Sequence, residues 1–488
     1  MISPKTAPNL RLKWKFNAGK DISATPAIYG GTVYFPSWNG YIYAVKEADG
    51  SLVWKQNLEN LTGLSATGFV RNVNWTVSRS TPTVAGDDSL LIGIYGPAVV
   101  ICVNRTTGEL VWKTTLDHHP AAVITMSGTY YKGDFYVGIS SLEIAVPTVE
   151  ECCTFRGSFT KLNARTGRMR WKTYMLPDNN NRTGEYAGAS IWGSSPSIDV
   201  ERNHVYTATG NLYSAPLRIR QCRERQINRT QPTQPGDECV EPDNHSDSML
   251  ALDLDSGKMK WYRQLGGLDI WTIACINPST PNCPPQAERP DVDFGQSPMM
   301  LTIYINRTKQ DIVVAVQKSG IAWALYRNNG NILWSTNAGP YGLSGGGIWG
   351  AATDVKRVYT NIANTGARNF TLAPSNVTTT AGGWVAMDAS NGRILWSTAN
   401  PSNRTANGPV SVANGVVFAG SADRMGSVYA IDAMNGKILW SYQTGASVYG
   451  GMSISKGCIF VGHGYGVALG PAFGLIGGTS LFAFCVRG

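Results

Sequence analysis

Apolar and polar residues alternate along most of the chain, and the alternation stops at recurring places. "YAVKEADGSLVW" closes on Trp54, "ICVNRTTGELVW" on Trp112, "TKLNARTGRMRW" on Trp171 and "LALDLDSGKMKW" on Trp261. "WALYRNNGNILW" closes on Trp334, "VAMDASNGRILW" on Trp396 and "YAIDAMNGKILW" on Trp440. Each copy is an apolar strand of period two, a polar turn holding glycine, and a second strand carrying tryptophan. Period two buries one face of a strand, and glycine supplies a turn position with positive φ, so each copy predicts a β-hairpin. Further alternating segments such as "SATPAIYGGTVYFPS" and "SVANGVVFAGS" precede most copies. Four short antiparallel strands per unit, recurring every 45–90 residues or so, predict propeller blades.

Seven copies are complete and the eighth is split. The C-terminal "SLFAFCVRG" reads as the first strand of a hairpin, and "LRLKWKFNAG" near the N-terminus reads as the second, with Trp14 at the repeat position. The predicted fold is all-β: an eight-bladed β-propeller over residues 1–488, closed by pairing of the N- and C-terminal strands. Closure removes the sheet edges that an open array would expose. The repeated tryptophans then pack between blades. Two polar, Pro-rich, Cys-bearing stretches, 212–247 and 266–292, are predicted insertions, of a length that usually carries function.

Composition narrows the classes. No run of about 18 apolar residues occurs, so no membrane span is expected. The net charge is +9, but Lys and Arg stand one or two at a time beside the turn tryptophans. Nucleic-acid binding needs clustering and is not expected; a weak preference for acidic surfaces or anionic small molecules fits better. N-x-S/T triplets open at Asn60, Asn74, Asn104, Asn181, Asn228, Asn244, Asn306, Asn369, Asn376 and Asn403, a density that points to a secreted glycoprotein. Cys222 and Cys239, Cys275 and Cys283, and Cys458 and Cys485 bracket short segments as disulfides would in an oxidising compartment. Localisation is therefore expected to be secreted or extracellular. "MISPKTAPNLRLKWKF" lacks the signal-peptide pattern, so a leader is expected to have been removed or lost by truncation.

Residues 149–157 read "VEECCTFRG". Cys152 and Cys153 admit two arrangements: buried or separately paired thiols, one reaching the spare Cys102, or a vicinal disulfide forming a flat surface at a pocket. "DHHP" sets His118 beside His119; on a strand they face opposite ways, which argues against a joint metal site. No H-E-x-x-H or P-loop occurs, and no G-x-S-x-G or G-x-G-x-x-G stands in a strand–helix context.

The W-motif hairpin repeated eight times resembles that of the pyrroloquinoline quinone (PQQ)-dependent alcohol dehydrogenases, in particular the polyvinyl-alcohol-dehydrogenase-like secreted proteins. The resemblance covers nearly the whole chain and implies PQQ and Ca²⁺ on the propeller axis, oxidation of an alcohol or polyol, and a separate electron acceptor. "VGISSLE" matches the family strand that ends in a metal ligand, which implies Glu143. "GASIWGSSPSID" matches the segment whose tryptophan stacks on the quinone, implying Trp192 with Ser190 beside the ring. "VYTATGN" implies Asn211 as a metal ligand. "DVDFGQSPMML" implies Asp293 as general base and metal ligand, with Asp291 as the alternate base. "AVQKSGIAWALYR" implies Lys318 on the quinone oxygens. "VSRSTPTV" implies Arg79 on a PQQ carboxylate, and "VYTNIANTG" places Asn364 near the ring. The resemblance also implies Cys152 and Cys153 as a surface for the quinone. That pair departs from the pattern, because the family keeps its adjacent cysteines just before the position of Arg79. "VDFG" replaces the family's "WDYD" or "WDYA", and no C-x-x-C-H haem motif is present. These departures leave a second expectation open: a non-catalytic extracellular propeller that binds a small molecule, glycan or protein.

Overall fold

In seven of the eight hairpins the tryptophan reaches across to the next turn, and this contact organises the molecule. In the computed structural model the indole N–H of Trp54 donates to the Arg105 carbonyl at 3.0 Å, and that of Trp261 to the Arg327 carbonyl at 2.9 Å. The same bond recurs from Trp14, Trp112, Trp171, Trp334 and Trp396. Above each of these rings sits the turn glycine of the following hairpin. A Cβ on Gly108 would stand 2.8 Å from Trp54, and one on Gly257 2.6 Å from Trp171. These glycines also hold positive φ, 76° and 69° for those two. Glycine is required twice over there, by the left-handed backbone and by the close approach of the indole face. The sequence pairing of Gly with Trp is thus a joint between neighbours.

The structure describes residues 1–488 apart from 69, 71–72, 146–151, 228–237, 277–290 and 487–488. Eight antiparallel sheets follow one another around a ring, seven of four strands and one, blade 3, of five. Blade 1 comprises Ala27–Tyr29, Thr32–Ser37, Tyr41–Lys46 and Leu52–Asn57; blade 5 comprises Met299–Ile305, Thr308–Val316, Ile321–Tyr326 and Ile332–Asn337. The second and third strands of each blade are the most buried, as in Thr308–Val316 and Ser427–Asp432. Outer strands alternate, as Leu110–Thr115 does. Blade 8 joins the two ends of the chain: Leu10–Asn17 pairs antiparallel with Ser480–Val486, from Leu10 opposite Val486 to Asn17 opposite Ser480. Hydroxyls tie the inner strands from blade to blade. Thr83 donates to the Gly128 carbonyl, Thr129 to Pro196 and Ser197 to Pro298. No described helix is long and apolar enough to cross a membrane.

Between the second and third strands of blade 4, Leu212–Ser214 pairs with Ala187–Gly188, and a helix follows over Leu217–Ile227. Cys222 and Cys239 are bonded, as are Cys458 and Cys485. Cys275 is disulfide-bonded too, while its expected partner Cys283 lies outside the described residues, as does Asn228. Cys152 and Cys153 are bonded to each other, and Cys102 is a buried free thiol. The arrangement that linked one of the pair to Cys102 is therefore corrected. Cys102 sits mid-strand in blade 2, within Val99–Asn104, packed in the apolar layer between blades.

Candidate active site

Residues from around the ring meet in a cavity of ≈ 140 Å³ at its centre. Its floor carries charge. Asp291 and Asp293 come from the connection between blades 4 and 5, and Lys318 follows the second strand of blade 5. The Lys318 ammonium lies 2.7 Å from Asp291 Oδ2 and 2.7 Å from Asp293 Oδ1. Two local features fix it: the Lys318 amide donates to the Asp293 carbonyl, and Gly345 packs against the Lys318 backbone so closely that a Cβ there would lie 2.4 Å from its carbonyl oxygen. Trp192 completes the group. Its indole N–H donates to Asp293 Oδ2 at 2.7 Å, and the ammonium stands 4.9 Å from its ring centroid.

Asn211, also on the lining, gives its amide hydrogens to the carbonyls of Leu212 and Trp271, at 2.8 and 2.7 Å. Its amide oxygen is thereby left for the cavity. Gly210 makes room for this arrangement, since a Cβ there would stand 2.9 Å from Asp293 Oδ2.

The electrostatics are lopsided toward negative charge. Asp247 and Asp269 add their charge to that of the pair, so four carboxyls interact where Lys318 is the one cation in contact with Asp291 and Asp293 among the described residues. Burial alone would lower the Lys318 ammonium, but Asp291 and Asp293 outweigh it and hold it above its ordinary value. Burial, then the Asp293 charge, pushes Asp291 well above the carboxylate range. Asp247 is fully buried and both of its oxygens lack a hydrogen-bond partner. Burial raises it first, and the charges of Asp269, Asp293 and Asp291 raise it further. Like charges at this density cannot all ionise in a low-dielectric interior without a proton or a cation to balance them.

Arg79 lines the same cavity. It is 9% exposed, donates to the Tyr465 hydroxyl at 3.0 Å, and lies over four aromatic rings, of which Trp349 is nearest at 4.5 Å. Burial works against its charge, and the hydroxyls of Tyr465, Tyr95 and Tyr449 more than offset that, so the guanidinium stays cationic. Trp349 meets Trp192 edge to face at 4.9 Å. Sequence reasoning missed this aromatic cage, because its members come from blades far apart in the chain. One signal was present: "IWG" at 348–350 repeats "IWG" at 191–193.

Of the residues expected at the site, Arg79, Trp192, Asn211, Asp293 and Lys318 line the cavity together, and Asp291 joins them. Four others face elsewhere. Ser190 bonds the Tyr213 hydroxyl at 2.5 Å, and Asn364 spends its amide hydrogens on the carbonyls of Arg368, Thr380 and Ala381. Cys152 and Cys153 sit in the apolar layer behind the lining, where the Cys153 amide donates to Ser214. Glu143 stands on the short 3-10 helix Leu142–Ala145, whose neighbouring residues line the cavity. Its own carboxylate accepts from the Thr154 and Phe155 amides and lies 3.2 Å from His119. Among the described residues, no three acidic, histidine or cysteine side chains form a ready ion cage.

A closed eight-bladed propeller with a charged, aromatic-walled cavity on its axis defines the class of protein. The family model PQQ_2, described as "Outer membrane protein assembly factor BamB", matches residues 11–263 and 318–468. The chain belongs to this family. It is 30% identical over 449 residues to a polyvinylalcohol dehydrogenase of a Pseudomonas species, a match that covers 86% of this chain and 62% of that relative. The chain thus spans under two thirds of that relative's length. Among solved structures it is similar to the quinohemoprotein alcohol dehydrogenase of Comamonas testosteroni, with TM-score 0.71 and 19% identity over 100% of this chain and 78% of that one. It is also similar to a europium-containing methanol dehydrogenase, with TM-score 0.70 and 17% identity over 99% and 95% of the two chains.

Proposed function

We propose that the cavity is the catalytic centre of a quinoprotein that oxidises an alcohol with PQQ and a divalent cation, Ca²⁺, and passes the electrons to a separate acceptor. The observation that carries this is the grouping of Asp293, Lys318, Trp192 and Asn211 with Arg79 in one cavity. The residues fit a flat, anionic quinone. Trp192 offers an aromatic face and Arg79 a buried cation for a carboxylate, with Lys318 as donor at the quinone oxygens. They also fit a hard cation, because the buried carboxylate charge exceeds the cationic charge and Asp291 Oδ1 and both Asp247 oxygens lack partners. Asn211 and Asp293 would hold the ion, and Glu143 would join them once its carboxylate leaves the Thr154 and Phe155 amides.

PQQ, when bound, supplies the acceptor for the hydride from the alcohol carbon. The chain's own residues handle the proton and the charge. Asp293 takes the hydroxyl proton, with its carboxylate oriented by the Trp192 indole and the Lys318 ammonium. Lys318 stays cationic between its two acids and stabilises negative charge that develops beside it. Burial of all these groups excludes water from the proton transfer. The disulfides and the N-x-S/T triplets support a secreted or extracellular protein.

Reconstitution with PQQ and Ca²⁺ tests this by alcohol-dependent dye reduction. Asp293→Asn is expected to lower kcat by about 10²–10⁴-fold, the usual contribution of a positioned base. An undiminished rate in that variant would exclude Asp293 as the base. A second reading, a non-catalytic propeller that binds a ligand in the same cavity, draws on Glu143, whose carboxylate is committed to the loop after the cysteine pair.

A further inference from the structure

The cavity changes character from floor to mouth. Its charged lining residues are Arg79, Asp291, Asp293 and Lys318, each at most 9% exposed. Its mouth is ringed by Ile144, Trp271, Ile273, Leu343, Leu469 and Phe473, all partly exposed. They stand on or just before three short 3-10 helices, Leu142–Ala145, Ile273–Ile276 and Gly470–Phe473, and on the chain entering blade 6. Among the described residues no charged side chain lines the cavity at this level. Among the described residues nothing covers these partly exposed apolar groups, and apolar surface left to water is costly unless something apolar passes between them. Rim and floor are also mechanically joined: Asn211, on the floor, donates to the Trp271 carbonyl at 2.7 Å, and the Trp271 amide donates back to Leu212.

We infer that the site selects alcohols carrying an apolar chain or ring, with the hydroxyl at Asp293 and Lys318 and the carbon chain held in the rim. This rests on the dehydrogenase reading above. A one-carbon alcohol reaches the floor without touching the rim. A polyol must strip water from hydroxyls that find no polar partner at Ile273, Leu469 or Phe473. Each methylene buried in the rim adds binding in the productive complex.

The test compares methanol, ethanol, 1-butanol, 1-hexanol and glycerol with the reconstituted holoprotein. From ethanol to hexanol kcat/KM is expected to rise roughly threefold per methylene, with glycerol below ethanol. Phe473→Ser and, as a second variant, Ile273→Ser should each lower hexanol's kcat/KM several-fold more than methanol's. Binding is read separately from turnover by tryptophan emission, which hexanol should shift saturably in the wild type and less in Trp271→Phe, while glycerol should not. Glycerol equal to hexanol in kcat/KM, or no saturable shift with hexanol, overturns the inference. Saturable hexanol binding without oxidation of any alcohol supports the rim and sinks the dehydrogenase reading.

Discussion

Lys318 is the residue on which the floor of the cavity balances. It sits between two carboxylates at 2.7 Å with two more nearby, and its removal would leave buried acids with no counter-charge. Breaking a buried pair by taking one partner typically costs about 3–5 kcal/mol. Lys318→Met is therefore expected to lower unfolding free energy by about that amount in urea titration. Lys318→Arg should lose less, because charge is kept. At this scale the resemblance pointed to Trp192, Asn211, Asp293 and Lys318, and the structure brings these four to one cavity. The sequence was not legible for Asp247 or Asp269. In "SDSMLALD" the hairpin repeat marks Asp253 as a turn acceptor, and its carboxylate accepts amides within its own turn at 2.9 and 3.1 Å, but nothing there marks Asp247 as fully buried. The difference is set by the approach of Gly266 and Gly210 from other segments, which periodicity does not report. Ser190 and Asn364 stand in suitable segments, but their side chains find nearer partners.

The element that repeats is the hairpin with its glycine under the preceding tryptophan. Its contacts are local in the repeat, so the blades could be read from spacing alone. A large aromatic ring packed on a backbone with positive φ leaves no room for a methyl group. Gly257→Ala is expected to destabilise by about 1–3 kcal/mol through the left-handed backbone and the clash with Trp171. The shift in denaturant midpoint measures this, and a neutral result would mean that the joint yields. The connections between blades are a different case. Leu217–Ile227 and the three 3-10 helices of the rim carry no repeat, and contacts outside the repeat place them, such as Arg218 of the first with Glu241 at 3.0 Å. Length and Pro content marked two of these connections as insertions but gave no indication of what they would line.

For the whole molecule, closure at blade 8 is the feature with a measurable pH dependence. His463 lies at the join: its ring accepts from the Thr479 amide at 3.0 Å and packs on Phe482. Burial, then the nearby Lys15 charge, pulls its pKa down to about 4. The folded form thus keeps His463 neutral where the unfolded chain, with an ordinary value near 6.5, takes up a proton. The unfolded state binds more protons between those values, so this stabilisation is complete above about pH 6.5 and is lost as pH falls toward 4. His204 and His245, also lowered by burial, act in the same direction. The raised carboxyls Asp247 and Asp291 act in the opposite sense, so the histidine is read as a difference: from pH 7.5 to 4.5 thermal unfolding should show the wild type losing stability relative to His463→Gln.

The ring also brings Arg79, Trp192, Asn211, Asp293 and Lys318 together from distant parts of the chain, and the central claim is that this grouping holds PQQ. Equilibrium dialysis of PQQ against the purified chain, with Ca²⁺ in excess and then with a chelator, tests that most directly. The account predicts saturation at about one PQQ per chain with quenching of tryptophan emission, weakened by the chelator and by Arg79→Ala. Absence of saturable PQQ binding by the folded wild-type chain with Ca²⁺ present would contradict it.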